Sequence, residues 1–196
     1  MINFNFDRNK LLEFLPKNGI IAEIGVARGL YTEKVLKYIN PKKYYLIDGW
    51  KNIDLGYPDK NMVTDIEHNK RYSNLQQTYH NNDNIKFVRL LSLDAATIFD
   101  DKFFDWVFID ADHSYTGCLN DLTAYNKLVK DDGYIVGHDY IPRGKGKKGF
   151  GVTDAVHDFV DQKNYFLVGV TNEDKYQTYV IAKNEKSKQK LLEKIV

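Results

Sequence analysis

The sequence predicts an α/β protein: a mostly parallel sheet layered between helices and closed by an antiparallel hairpin at its C-terminal edge. Three observations carry that expectation. An apolar run, Ile20–Ile24, breaks into a turn over residues 25–29, and Leu30, Val35, Leu36 and Ile39 then recur near helical spacing. Further short apolar runs alternate with amphipathic stretches along the chain. The last two runs, residues 165–170 and 176–182, are joined by a connection short enough for a hairpin.

The bulk numbers fit one soluble domain. A chain of 196 residues suits a single domain. A chain of that size buries roughly 70% of its unfolded surface. Hydrophobic residues make up 43% and charged residues 28%, ordinary for a globular protein. The formal charge of +1 argues against a dedicated nucleic-acid binder. Cys118 is the single cysteine, so no internal disulfide can form. The first ten residues lack the apolar core of a signal peptide, and no run approaches the roughly 20 apolar residues of a membrane helix. The expectation is a cytoplasmic protein with no membrane partner.

Taken in order, residues 1–18 hold a short helix capped by Asp7, with Leu11, Leu12, Phe14 and Leu15 inward. The first strand, turn and helix follow, and Pro41 breaks that helix. Lys43–Ile47 is the second strand and ends on Asp48. Residues 49–82 are an insertion on the substrate side, irregular at first and then a polar helix over 62–79. Residues 85–91 form the third strand, with Ser92, Leu93 and Asp94 after it and a helical turn over 95–99. Residues 106–109 form the fourth strand and run into Asp110, Ala111, Asp112 and His113. Ser114 caps a helix with Tyr115, Cys118, Leu119, Leu122 and Val129 on one face, closed by Asp131, Asp132 and Gly133. Residues 134–136 form the fifth strand, which ends on Gly137, His138, Asp139 and Tyr140. Residues 143–151 carry four glycines and four basic residues and read as a mobile loop. A helix follows with Val152, Ala155, Val156, Phe159 and Val160 inward, then the hairpin, then a charged amphipathic tail helix within residues 183–196. That tail packs on its own domain or on a second subunit of a homodimer.

In open parallel sheets, ligands bind beyond the C-terminal strand ends at the topological switch point. Asp48, Asp94, Asp110 and Asp139 follow strands two to five there. A dinucleotide cradle needs G-x-G-x-x-G, but from Gly25 the sequence is G-V-A-R-G-L, so Ala27 and Leu30 break the pattern. Glu23 lies two residues before the turn, where a carboxylate repels a pyrophosphate and suits a ligand with a positive end.

Residues 23–29, E-I-G-V-A-R-G, resemble the first motif of the Rossmann-like S-adenosylmethionine-dependent methyltransferases. Asp48, 23 positions after Gly25, stands close to the spacing of a ribose-binding acid. F-I-D-A-D-H-S-Y over 108–115 and G-H-D-Y over 137–140 resemble the small-molecule O-methyltransferase branch of that family. The resemblance spans roughly residues 18–182 and implies a three-layer sandwich around a seven-stranded sheet with its last strand antiparallel. It implies a site as well. Glu23, Gly25 and Gly29 would lie by the methionine part of S-adenosylmethionine, Asp48 at the ribose, and Ser92 and Asp94 at the adenine, with Asp110 beside the cofactor. Ala27 stands where many relatives carry glycine. The single-residue alternatives are structural: Glu23 as a buried acid paired with Arg28 or a lysine, and Asp48 and Asp94 as helix caps.

Two devices can deprotonate a hydroxyl acceptor. Asp110 and Asp139 emerge side by side and offer oxygens to magnesium, as the carboxylates of metal-dependent catechol-type relatives do. The next ligand of those relatives is an asparagine, which is Tyr140 here, so Asp112 or His138 would replace it. Alternatively His113 or His138 serves as general base, with Asp139 beside it. His68, His80 and His157 lack such neighbours and read as surface residues. The basic residues of loop 143–151 favour an anionic or sugar substrate if that loop closes as a lid. Trp50 and Tyr57 either stack on the substrate or pack the insertion. The competing functions are a nicotinamide-dependent oxidoreductase and a non-catalytic cofactor-binding domain. No nucleic-acid methylation motif is present.

Overall fold

The structure, a computed structural model, describes residues 1–141 and 150–195. The chain order is β1 (Ile2–Asn3), α1 (Arg8–Leu11), β2 (Ile20–Ile24), α2 (Leu30–Tyr38), β3 (Lys43–Ile47), α3 (Asp65–Thr78), β4 (Ile85–Val88), α4 (Ser92–Ala96), β5 (Phe104–Ile109), α5 (Tyr115–Asn126), β6 (Val129–Tyr140), α6 (Val152–Lys163), β7 (Phe166–Val170), β8 (Gln177–Ala182) and α7 (Glu185–Ile195). The eight strands form one sheet in the order β1-β7-β8-β6-β5-β2-β3-β4. Only β8 runs against the others; it pairs antiparallel with both β6 and β7.

The central strands are buried on both faces, as parallel strands between helices must be. Their side chains alternate between two cores. Ala22, Ile24, Val107 and Ile109 pack with α5 and α6 on one face. Ile21, Trp106 and Phe108 pack with α1, α2 and α7 on the other. The switch point lies between β2 and β5: they are parallel neighbours, and from β2 the chain turns to β3 on the far side.

Local signals place the helices. Asp7 accepts from Lys10 N at 2.9 Å, and Ser114 Oγ accepts from Gly117 N at 3.0 Å, both as the sequence implies. The tail helix packs on its own domain: Leu191 and Ser187 are buried, and the Tyr134 hydroxyl donates to Ser187 O. No helix of the described residues is long and apolar enough to cross a membrane.

Four expectations are corrected. The sheet has eight strands rather than seven, because Ile2 and Asn3 pair parallel with β7. Two residues carry no periodicity to read. The hairpin is therefore not the outer edge; β1 covers β7. The third strand stops at Val88, and Ser92, Leu93 and Asp94 lie within α4. Val129 opens β6, which spans twelve residues through Tyr140, and Asp131–Gly133 forms an irregularity in that strand instead of a helix stop. The lid expectation falls on residues 143–149, outside the described residues, apart from Phe150 and Gly151.

Candidate active site

At the exit of β2 the chain passes close under β5. A Cβ on Gly25 would lie 2.1 Å from the Asp110 carbonyl oxygen, and its φ is +91°, so only glycine fits. Ala27 adopts φ +50°, the left-handed geometry that a glycine would take without strain. Two contacts hold it there. Ala27 N donates to Asp48 Oδ2 at 2.9 Å, and the Trp50 indole donates to Ala27 O at 3.0 Å. Asp48 Oδ1 also accepts from Trp50 N at 2.6 Å. Asp48 thus ties the turn to the end of β3, and each oxygen keeps a lone pair for a ligand. Trp50 is fully buried against Tyr72 and Phe87, so it packs the insertion. Gly29, at φ +72°, is the N-cap of α2.

Glu23 is 2% exposed and, among the described residues, pairs with neither Arg28 nor a lysine. Its Oε2 accepts from the Thr32 hydroxyl at 2.7 Å and the Tyr44 hydroxyl at 2.5 Å. Burial, which these two hydrogen bonds only partly offset, pushes its pKa up to about 8.

The chemistry gathers one strand over. His113 Nε2 lies 3.0 Å from Asp139 Oδ2 and 3.3 Å from Asp110 Oδ1. His113 Nδ1 faces Asp59 Oδ2 at 3.7 Å. His138 Nδ1 sits 3.4 Å from Asp139 Oδ2 and 3.8 Å from Asp110 Oδ1. Burial opposes charge on His113, but the carboxylates of Asp110, Asp139 and Asp59 outweigh it and raise the imidazole to about 9. Asp139 is lowered: its burial is more than offset by His138 and His113. Asp139 also holds φ +57°, a backbone cost that a non-glycine residue bears when its surroundings over-determine it.

The two histidines differ. Both nitrogens of His113 face carboxylates. His138 points only Nδ1 at Asp139 and Asp110, and its Nε2 has no partner among the described residues. With a proton on Nδ1, Nε2 carries the free lone pair.

Insertion residues frame the cluster. The Tyr57 hydroxyl accepts from His113 N at 2.7 Å and donates to Asp112 Oδ1 at 3.1 Å, and the same Asp112 oxygen caps Ser114 N at 2.8 Å. Tyr57 is therefore a brace for the His113 loop, and Asp112 is its anchor. Phe150 packs 4.9 Å from the His113 ring, and Tyr176 lies 6.4 Å from His138. Asp59, Phe150 and Tyr176 were not legible as site residues. Asp94 is exposed in the first turn of α4, and its side chain makes no hydrogen bond among the described residues. The carbonyl of Ser92, four residues beyond β4, accepts from the Tyr125 hydroxyl. His68, expected at the surface, is buried, and its pKa is lowered by that burial. His157 is half-buried and hydrogen-bonded to the Tyr140 hydroxyl, whereas His80 is exposed as expected.

A family model described as a methyltransferase domain matches residues 22–140, the span from β2 through the Asp139 turn. The chain belongs to this methyltransferase family. No curated protein matches it. Among solved structures, the chain resembles a SAM-dependent methyltransferase from Aquifex aeolicus at TM-score 0.63 and 17% identity, covering 90% of this chain and 89% of that one. It resembles the N-methyltransferase NodS from Bradyrhizobium japonicum at TM-score 0.59 and 12% identity, covering 88% and 91%. It also resembles the trans-methyltransferase CalH, solved with SAH, at TM-score 0.62 and 14% identity, covering 88% of this chain and 54% of that one. The fold is that of the SAM-dependent methyltransferases, and the nicotinamide alternative finds no support in the family.

Proposed function

We propose that the protein uses S-adenosylmethionine to methylate a hydroxyl oxygen of a small molecule, a sugar or a natural product. The observation that carries this reading is His138. Its Nδ1 is oriented by Asp139, its Nε2 is unpartnered, and it stands at the strand end beside β5. The cofactor supplies an electrophilic methyl group on a sulfonium. His138 Nε2 takes the hydroxyl proton as the oxygen–carbon bond forms and the sulfur–carbon bond breaks. Asp139 stabilises the imidazolium that results. Holding the acceptor oxygen in line supplies much of the remaining acceleration.

The cofactor roles follow the strand ends. Gly25 and Gly29 open the backbone beside the methionine part, with Glu23 beneath it. Asp48 faces the ribose, Ser92 and Asp94 the adenine, and Asp110 closes the far wall. Glu23 lies under the turn as a group with a raised pKa, so its contribution is to hold Thr32 and Tyr44 in place rather than to pair with an ammonium.

Calorimetric titration with S-adenosylmethionine and S-adenosylhomocysteine tests the reading. The wild type binds both, and Asp48→Ala weakens binding about tenfold or more, because it frees the Ala27 turn as well as removing a ribose partner. Mass spectrometry of reactions with sugar and phenolic hydroxyls then detects the methylated acceptor. No binding at millimolar cofactor defeats the proposal. Binding without turnover on any acceptor leaves the non-catalytic alternative.

A further inference from the structure

Arg8 reaches the rim that carries His138 from the N-terminal segment. β1 and β7 run parallel, so both end at the C-terminal edge of the sheet. Beyond β1, Phe4 N donates to Val170 O at 2.8 Å and Asn172 N donates to Phe6 O at 3.1 Å, which fixes the approach to Arg8 against the β7–β8 connection. The Arg8 guanidinium lies over the Tyr31 ring, 5.1 Å from its centroid. Tyr31 stacks on Phe108 at 4.0 Å, and Phe108 stands 6.5 Å from the His138 ring. We propose that Arg8 and Tyr31 form an anion subsite, and that the methyl acceptor carries an acidic group, a carboxylate or a phosphate, which binds there while its hydroxyl meets His138.

Three observations support it. First, the half-buried guanidinium makes no hydrogen bond or ion pair among the described residues. The adjacent carboxylate is engaged elsewhere: Glu173 Oε1 accepts from Arg8 N at 2.7 Å, and Oε2 accepts from the Thr171 hydroxyl. An arginine fork held on an aromatic face with its donors unfilled matches a carboxylate or phosphate. Second, Tyr31 is 6% exposed, and its buried hydroxyl has no partner among the described residues. A buried hydroxyl without an acceptor is costly, and an oxyanion supplies acceptors. Of the charges acting on that hydroxyl Arg8 is the strongest, so both donors serve one place. Third, the family model matches residues 22–140, the span that holds the cofactor residues, and Arg8 and Glu173 lie outside it. A cofactor common to the family is met within that span; Arg8 is this chain's own addition and suits its own acceptor. The inference rests on the methyl-transfer reading for what carries the acidic group.

The test titrates the full chain, labelled with nitrogen-15 arginine, with acetate and with phosphate. The Arg8 Nε–H signal, assigned by its loss in Arg8→Lys, should shift and saturate at millimolar anion, while that of the exposed Arg28 should not saturate. Turnover with S-adenosylmethionine then compares matched acceptors: glucuronate and glucose 6-phosphate against glucose, and 4-hydroxybenzoate against 4-hydroxybenzyl alcohol. The acidic member should lead about 10- to 100-fold in kcat/KM, the worth of a hydrogen bond to a charged group. Arg8→Met should erase that lead, Arg8→Lys should keep part of it, and both should bind S-adenosylhomocysteine as the wild type does. Where no pair turns over, the Arg8 signal decides. No saturating shift, an uncharged acceptor used as well as its acidic partner, or weakened S-adenosylhomocysteine binding in a folded Arg8→Met overturns the proposal; in the last case the guanidinium serves the cofactor's own carboxylate. The cofactor titration separates the two readings: a saturating Arg8 shift without cofactor binding sinks methyl transfer and leaves the anion subsite, and cofactor binding without any anion effect sinks this inference alone.

Discussion

The two ends of the sheet treat their acids differently. At the N-terminal end, Asp105 accepts from Ile20 N at 2.7 Å and pairs with Lys130 at 2.8 Å. A recess of about 420 Å3 opens there, lined by Pro16, Asn18, Lys42 and Lys130 among others, but no imidazole or unpaired carboxylate faces it. At the C-terminal end, Asp110 and Asp139 face imidazoles, and Ala27, Trp50 and Asp139 all hold positive φ. A carboxylate paired with lysine and backbone is held in place. A carboxylate that faces imidazoles, as Asp110 and Asp139 do, sits beside ring nitrogens that can donate or accept a proton. The difference separates an end that holds the sheet together from an end that can do chemistry.

The sharpest way to break this comparison is at His138 and Asp139. His138→Ala should lower kcat about 10²- to 10⁴-fold, the usual worth of a positioned general base, while cofactor binding changes little. Asp139→Asn should follow it in kcat. Wild-type kcat in His138→Ala would move the chemistry elsewhere.

Glu23 tests the buried carboxyl of the same edge. Its pKa is pushed up to about 8 in the fold from an ordinary 4.5. Between those values the folded chain holds a proton that the unfolded chain has lost, so this group makes stability fall as pH rises from about 4.5 to about 8 and adds no slope above. Glu23→Gln removes the titration. The stability difference between wild type and variant, from urea unfolding, should therefore shift toward the variant by a few kcal/mol between pH 5 and pH 8.5. A constant difference would mean that Glu23 is ionised throughout.

Much of this arrangement was readable from residue order. Apolar runs of period two and helical spacing fix β2, β3, β5 and most helices, because burial on one or both faces imposes those periods. The acids at strand ends mark the functional edge for the same reason: strand ends in a parallel sheet point one way. Partners were not readable. Asp59 reaches His113 from residues 49–64, which have no periodicity. Asp48 looked like a ligand or a helix cap and proves to staple the Ala27 turn, a contact made by backbone geometry that no side-chain pattern encodes. His68 looked exposed because α3 is polar overall, yet the face it shares with Leu75, two turns on, packs onto the core.

At the opposite end of the sheet, Asp105→Asn should cost about 1–2 kcal/mol of stability, through a weakened bond to Ile20 N and the lost partner of a half-exposed Lys130. Its kcat/KM, measured well below its melting temperature, should match the wild type. A loss of turnover without a loss of stability would show that the two ends are coupled through the β2–β5 pair and would end the division drawn between them.

The smallest effect is expected at Asp94. Its side chain is exposed and unpartnered among the described residues, so any bond to the adenine amine forms in competition with water. Asp94→Ala should raise the cofactor Kd only about two- to tenfold, with kcat unchanged at saturating cofactor. Adenosine and inosine analogues of S-adenosylhomocysteine sharpen the result: the wild type should prefer the amine by that same factor, and the variant should bind both alike. If the preference survives in Asp94→Ala, the amine is read by the backbone around Ser92, and the regular row of strand-end acids shrinks from four working members to three.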